Sequence, residues 1–308
     1  MVRIKSYAKI NLTLEIVGRE GGYHLLDSLV ASVDIFDLIV LRKRKDNLSS
    51  ITMHGMGSES IPPEKNNALK AAEAFSKTFG VTGADITVYK NIPIGAGLGG
   101  SSADISGVLV GMAKLYKITD TAAIEALADT LGSDTKYMLT GGFARMQGRG
   151  EKITPLQVRE TLHFLLLCPS SSVGAGECYQ TYDRLPKTLE WREPPTESAI
   201  DVLLKKDVNG VGRYLTNDLF VSALTLNKDV ETAQKEALSF SPLGVSMTGS
   251  GSCVFAMFET KELCEWAKSR YRGKFRAIVA QTVIPEQKNK TIFSNSFVLS
   301  DEEKENIK

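Results

Sequence analysis

Lys90-Asn-Ile-Pro-Ile-Gly-Ala-Gly-Leu-Gly-Gly-Ser-Ser-Ala-Asp104 is the stretch on which the reading of this chain turns. Gly95, Gly97, Gly99 and Gly100 free the backbone for positive φ and let its amides come close to a ligand. Ser101 and Ser102 follow, and then Ile105, Val108, Leu109, Met112 and Tyr116 recur at helical spacing, which predicts a helix over residues 101–116 with one buried stripe. A helix N-terminus carries unpaired N–H groups and about half a positive charge. A glycine loop that runs into one is therefore a cradle for phosphate, and the serine hydroxyls can donate to phosphate oxygens or stand on Mg²⁺. No Gly-Lys-Ser/Thr follows, so this is not a Walker A loop. A second glycine cluster, Met247-Thr-Gly-Ser-Gly-Ser-Cys253, precedes the apolar run 254–258. On its own residues it is open between a plain turn into a core strand and a second loop closing on the same anion.

Around these loops, strand character dominates residues 3–8, 12–17, 28–41 and 85–90, and a 3.6-residue period predicts a helix over 67–79. Further helices are expected over 121–131, near 198–204, and over 227–238 and 261–271. Residues 141–155 read as a glycine-turned hairpin, and 162–168 and 253–258 as apolar strands. Strands mixed with helices in no strict alternation predict an α+β fold. The length of 308 residues favours one large domain or two of about 150. The expected division is an N-terminal domain over 1–155, a C-terminal domain over 156–285, and a polar, solvated tail over 286–308.

The composition, 43% hydrophobic and 24% charged, excludes a disordered or collagen-like chain. Lysine and arginine (37) nearly balance the acids (36), so no bulk attraction to nucleic acid or anionic membrane is expected. Lys5, Lys9 and Glu15 interrupt any apolar leader, and the most apolar run, 162–168, is far shorter than the ~20 residues of a spanning helix. A soluble cytoplasmic protein is expected, without nucleic-acid or membrane partners, as a monomer or homodimer. Cys168, Cys178, Cys253 and Cys264 form no C-x-x-C pair, and with His24, His54 and His163 they assemble no zinc spacing. Reduced structural thiols and no metal site of soft ligands follow.

Pro93-Ile-Gly-Ala-Gly-Leu-Gly-Gly-Ser-Ser resembles the P-x-G-x-G-L-G-S-S-A signature of the GHMP superfamily, the small-molecule kinases named for galactokinase, homoserine kinase, mevalonate kinase and phosphomevalonate kinase. Ala8-Lys-Ile-Asn-Leu12, Gly18-Arg and Gly22-Tyr-His-Leu25 are similar to the opening of the branch whose acceptor is 4-diphosphocytidyl-2-C-methyl-D-erythritol, in non-mevalonate isoprenoid biosynthesis. Leu131-Gly-Ser-Asp-Thr135, Gly148-Arg-Gly-Glu151, Asn217-Asp-Leu219 and the 247–255 segment resemble further motifs of that branch, in order and spacing.

The resemblance implies a two-domain kinase with its active site in the interdomain cleft, ATP and Mg²⁺, and transfer of the γ-phosphate to the 2-hydroxyl of the methylerythritol unit. It implies Asp134 as general base and Lys9 as the cation that stabilises charge on the transferred group. It places Asn66, Lys90, Pro93, Gly95, Gly97, Leu98, Gly99, Gly100, Ser101 and Ser102 at the nucleotide. It places Asn11, Tyr23, His24, Tyr179, Gly249, Ser250 and Gly251 at the acceptor, with Tyr23 and Tyr179 on opposite faces of the cytosine. Two other readings stay open on the residues: a kinase of the same superfamily for another small alcohol, and a nucleotide-binding relative without catalysis.

Overall fold

A computed structural model describes residues 1–186 and 193–283, and the backbone of 296–298. The first half runs β1 (Val2–Asn11), β2 (Thr13–Glu20), β3 (Tyr23–Lys43), β4 (Ser50–His54), α1 (Asn67–Phe79), β5 (Ala84–Tyr89), α2 (Gly100–Tyr116), α3 (Thr121–Leu131), α4 (Thr135–Thr140), β6 (Phe143–Gly148) and β7 (Lys152–Pro155). The second runs β8 (His163–Cys168), α5 (Ala175–Arg184), α6 (Pro195–Leu204), α7 (Val208–Val211), β9 (Thr216–Asn217), α8 (Phe220–Leu226), α9 (Lys228–Leu238), β10 (Gly244–Met247), β11 (Val254–Phe258), α10 (Lys261–Arg270), β12 (Arg276–Gln281) and finally β13 (Ser296–Val298).

β3 is the spine of the larger sheet. It pairs with β1 along 30–41, with β2 at its start, with β6 over 26–31 and with β5 over 38–43. A strand of 21 residues is several times the usual length of about 5–6. It can serve two edges because its register against β1 slips between Tyr7 and Ala8, leaving Asp34 and Ile35 unpaired there and bending the strand. Four antiparallel strands in the order β10-β11-β8-β12 make the second sheet.

β8 shows why 162–168 reads as one apolar run. Phe164, Leu166 and Cys168 enter the central core, which reaches into both halves, while Leu165 and Leu167 face the core beneath α9 and α10. A strand buried on both faces has no polar side to show.

The halves share that central core, and polar contacts stitch them together. Thr13 and Thr196 join hydroxyls at 2.8 Å, and the Thr196 N–H donates to Glu15 Oε2 at 2.8 Å. β9 returns from the second half to run parallel with β2.

Two expectations change. α2 is enclosed nearly all round, with every residue from Ala103 to Ala113 buried, rather than along one stripe. Gly107 and Gly111 permit this, since a Cβ on either would stand 2.2–2.3 Å from Ile39 or Leu41 on β3. Within the stretch expected as a solvated tail, Ser296–Val298 adds a strand to the free edge of β1; the rest of 286–308 lies outside the described residues. No helix among the described residues is long and apolar enough to cross a membrane.

Phe75 on α1 is fully buried against the β-sheet and α2. Phe75→Ala should lower the unfolding free energy by about 3–5 kcal/mol, read from denaturant melts.

Candidate active site

Gly95, Gly97 and Gly99 all take positive φ, at 68°, 77° and 71°. The loop they shape leads into the first turn of α2 and forms one wall of a cavity of about 360 Å³. All the residues expected at the nucleotide line it: Asn66, Lys90, Pro93, Gly95, Gly97, Leu98, Gly99, Gly100, Ser101 and Ser102. Met53, Ile61 and Lys65 complete the opposite wall. Sequence reasoning missed these three, because β4 and the turns after it carry no motif.

Lys90 and Asn66 line the cavity with their functional atoms already engaged. The Asn66 carboxamide oxygen accepts from Ala68 N at 2.9 Å and so caps α1. The Lys90 ammonium lies between Asp37 Oδ2 and Asp104 Oδ2, the latter at 2.8 Å. Asp37 Oδ1 in turn accepts from Asn91 N (2.6 Å) and Ile92 N (2.9 Å), fixing the start of the loop. Lys90 was expected at the nucleotide; it lines the cavity with its ammonium engaged by two buried acidic side chains. Burial alone would lower the Lys90 ammonium, but the Asp104 and Asp37 charges hold it above its ordinary value. Burial pushes the Asp104 carboxyl up to about 8, against the pull of Lys90 and with help from Asp37. The signal for Asp37 was present in the sequence, as a carboxylate inside the otherwise apolar strand 35–41.

The second glycine cluster does not face this cavity. Its Thr248 hydroxyl donates to the Gly97 carbonyl at 3.1 Å, and Cys253 N donates to Ala96 O at 3.2 Å. Gly249 N donates to Asn11 Oδ1 at 3.0 Å, and Ser250 Oγ to Val173 O at 3.4 Å. A Cβ at Gly251 would strike Met247 Sδ at 2.7 Å. Thr248, Gly249 and Cys253 therefore pack against the first loop, while Gly249, Ser250 and Gly251 were expected at the acceptor. Asn217 holds this segment, donating from Nδ2 to Met247 O and Gly249 O.

Lys9 and Asp134 meet beside the first loop. Lys9 Nζ lies 3.3 Å from Asp134 Oδ2 and 2.5 Å from Asn11 Oδ1, and its backbone N donates to Leu98 O at 3.0 Å. Asp134 stands at the N-cap of α4 but makes no capping hydrogen bond. Its carboxylate keeps 30% exposure while Lys9 is almost closed off. Asn11 differs from expectation. Its Oδ1 serves Lys9 and Gly249 and its Nδ2 donates to Ser28 Oγ at 2.9 Å, so the amide joins loop to lysine.

Tyr23 is 58% exposed at the β2–β3 turn. The His24 imidazole stacks on Tyr179 of α5, with centroids 4.8 Å apart and 22° between planes. Its Nε2 lies 2.7 Å from Asp183 Oδ1. His24 thus covers one face of the Tyr179 ring, the residue expected to stack on the base. Burial and then the Asp134 charge push the Tyr179 phenol up, so the aromatic pair lies within electrostatic reach of the Lys9–Asp134 pair.

Two measurements check this geometry. A Cβ on Gly97 would stand 2.1 Å from the Thr248 carbonyl oxygen in a positive-φ backbone, so Gly97→Ala should weaken ATP binding roughly tenfold or more by calorimetry. The Asp104 carboxyl binds its proton more tightly folded than unfolded, where it ionises near 3.8. Its stabilising protonation is fully present below that pH and lost as pH rises through about 8. Denaturant stability should fall with pH across that window, and fall less in Asp104→Asn.

The chain matches two family profiles in order, "GHMP kinases N terminal domain" over residues 66–144 and "GHMP kinases C terminal" over 199–275. It is 34% identical over 282 residues to a 4-diphosphocytidyl-2-C-methyl-D-erythritol kinase of Clostridium beijerinckii, covering 89% of this chain and 98% of that one. The same enzyme of Carboxydothermus hydrogenoformans is 34% identical over 285 residues, 91% of this chain and 93% of its own. A crystal structure of 4-(cytidine 5'-diphospho)-2C-methyl-D-erythritol kinase superposes with a TM-score of 0.74 at 29% identity, covering 91% and 98% of the two chains. A homoserine kinase from Cytophaga hutchinsonii shares the fold, with a TM-score of 0.72 at 18% identity over 97% of each chain. Both halves of the family are matched, and the relatives align along nearly their whole length: the chain belongs to the GHMP kinases.

Proposed function

We propose that this chain is a cytoplasmic kinase that transfers the γ-phosphate of ATP to the 2-hydroxyl of 4-diphosphocytidyl-2-C-methyl-D-erythritol, a step in non-mevalonate isoprenoid precursor synthesis. The observation that carries the reading is the Lys9–Asp134 pair at 3.3 Å, set between a phosphate-cradling loop and an aromatic cluster. The relatives of the same name, at 34% identity, support the choice of acceptor.

Phosphoryl transfer asks for positioning and for charge placed where charge develops. The amides of the glycine loop and the N-terminus of α2 hold the ATP phosphates at the cavity. Asp134, the exposed partner of the pair, takes the proton of the acceptor hydroxyl. Lys9, fixed by Asn11 and by the Leu98 carbonyl, faces both that carboxylate and the loop, and stabilises charge on the moving phosphoryl group. The exposed ring of Tyr23 and the His24 imidazole give the cytosine an aromatic face and a polar edge. The acceptor then lies in the cleft between the two halves.

The residues present suit Mg²⁺ as a phosphate-held ion. Asp134, Ser102 and Thr135 supply hard oxygen donors, and the Thr135 hydroxyl is buried with no hydrogen-bond partner among the described residues. Gly132 lies against both hydroxyls, Thr135 Oγ1 at 2.8 Å and Ser102 Oγ at 3.5 Å from where a Cβ would stand. No cluster of three or more His, Cys, Asp or Glu able to hold a metal occurs among the described residues. A magnesium ion held by these hard oxygens would supply charge neutralisation to the phosphates.

Phosphorus NMR of the protein with Mg-ATP and the diphosphocytidyl acceptor should show a new phosphomonoester signal as ADP appears. Asp134→Asn should lower turnover by about 10²–10⁴-fold with ATP affinity kept. ATP binding without any new phosphomonoester would refute the acceptor assignment.

A further inference from the structure

Gly148-Arg-Gly-Glu151 closes the turn between β6 and β7, with Gly148 and Gly150 at φ of 71° and 108°. Glu151 folds back on this turn, accepting from Arg149 N at 2.6 Å, so the turn has a fixed shape that points the exposed Arg149 outward. The guanidinium lies over the ring of Tyr23, 4.6 Å from its centroid. The next residue, Gly150, is buried, and a Cβ there would stand 3.6 Å from the Ser133 carbonyl oxygen. The turn therefore touches the proposed base site at one end and the residue before Asp134 at the other.

Several cations near it are paired. Arg19 pairs with Asp183 at 3.3 Å, Arg145 with Asp27 at 2.6 Å and with Glu197 at 2.7 Å, and Lys9 with Asp134. Arg149 has no carboxylate within salt-bridge distance among the described residues, and its known neighbour is an aromatic face.

We infer that Arg149 binds the diphosphate that joins the nucleoside to the acceptor alcohol. This rests on the cytidyl reading of the acceptor site given above, and adds to it the group that recognises the linker. A base held at Tyr23 and a hydroxyl held at Asp134 oblige the linker between them to pass this turn. A guanidinium presents a planar fork that matches phosphate oxygens, and the tyrosine ring keeps that fork oriented before the ligand arrives. Arg149 thereby separates nucleoside-diphosphate acceptors from uncharged alcohols of similar size.

Calorimetry with cytidine, CMP and CDP tests this in wild type, Arg149→Met, Arg149→Lys and Tyr23→Ala, alongside steady-state KM values for the diphosphocytidyl acceptor and ATP. Affinity should rise from cytidine to CDP in wild type. Arg149→Met should lose about 10–100-fold for CDP and for the acceptor, with cytidine and ATP within about twofold, a span too small to reflect a lost charged contact. Arg149→Lys should recover part of the loss as a point charge. CDP affinity kept in Arg149→Met while Tyr23→Ala weakens cytidine overturns the role of Arg149 and leaves the cytidyl reading standing. Equal losses for cytidine and CDP in Arg149→Met also overturn it, since the residue then only props Tyr23. Wild type that binds none of the three and turns over no diphosphocytidyl acceptor overturns the cytidyl reading and this inference together.

Discussion

The ammonium of Lys90 is closed off from water between Asp37 on β3 and Asp104 near the start of α2, and the wall of the glycine-loop cavity is built around it. Three ionisable groups with side-chain exposures of 4%, 0% and 8% are tolerable only because each hydrogen-bonds another, and removing one partner of such a cluster typically costs about 3–5 kcal/mol. What the cluster supplies is position. Asp37 also receives the amides of Asn91 and Ile92, so the central strand, the entrance of the glycine loop and the start of α2 are held by one set of contacts. The loop can then keep its positive-φ backbone without a ligand to shape it.

A second junction lies on the far side of the loop. Asn11 uses its carboxamide oxygen for Lys9 and the Gly249 amide, and its nitrogen for Ser28. One side chain therefore ties Lys9 to the segment packed against the glycine loop. Thr248 completes the tie through the Gly97 carbonyl. Glycine at 97 and 249 is a steric requirement here, because two backbones approach more closely than any Cβ allows.

Paired charges organise the region around His24 and Tyr179. His24 and Arg19 converge on Asp183 of α5, which fastens the β2–β3 turn of the first half to a helix of the second. Arg145 fastens β6 to both Asp27 and Glu197 in the same way. These contacts cross between halves that already share the central core.

Local pattern alone carried much of the fold. The helices at 67–79 and 121–131 match α1 and α3 end to end, because their apolar period and their capping residues Asn66 and Asp120 lie within the segment. The glycine loop was legible from its own residue spacing, whereas the roles expected of Lys9 and Asp134 came only through the resemblance to the family. The chain did not reveal that Lys90 faces inward, that the second glycine cluster supports the first, or that His24 covers Tyr179. Nor did it show that α2 is enclosed on all sides. Each of these depends on a partner far along the chain: Asp37 lies 53 residues from Lys90, Thr248 lies 151 from Gly97, and Asp183 lies 159 from His24. A side chain's type sets what it can bond, but which groups come within 3 Å of it is decided only when the sheets close on a shared core.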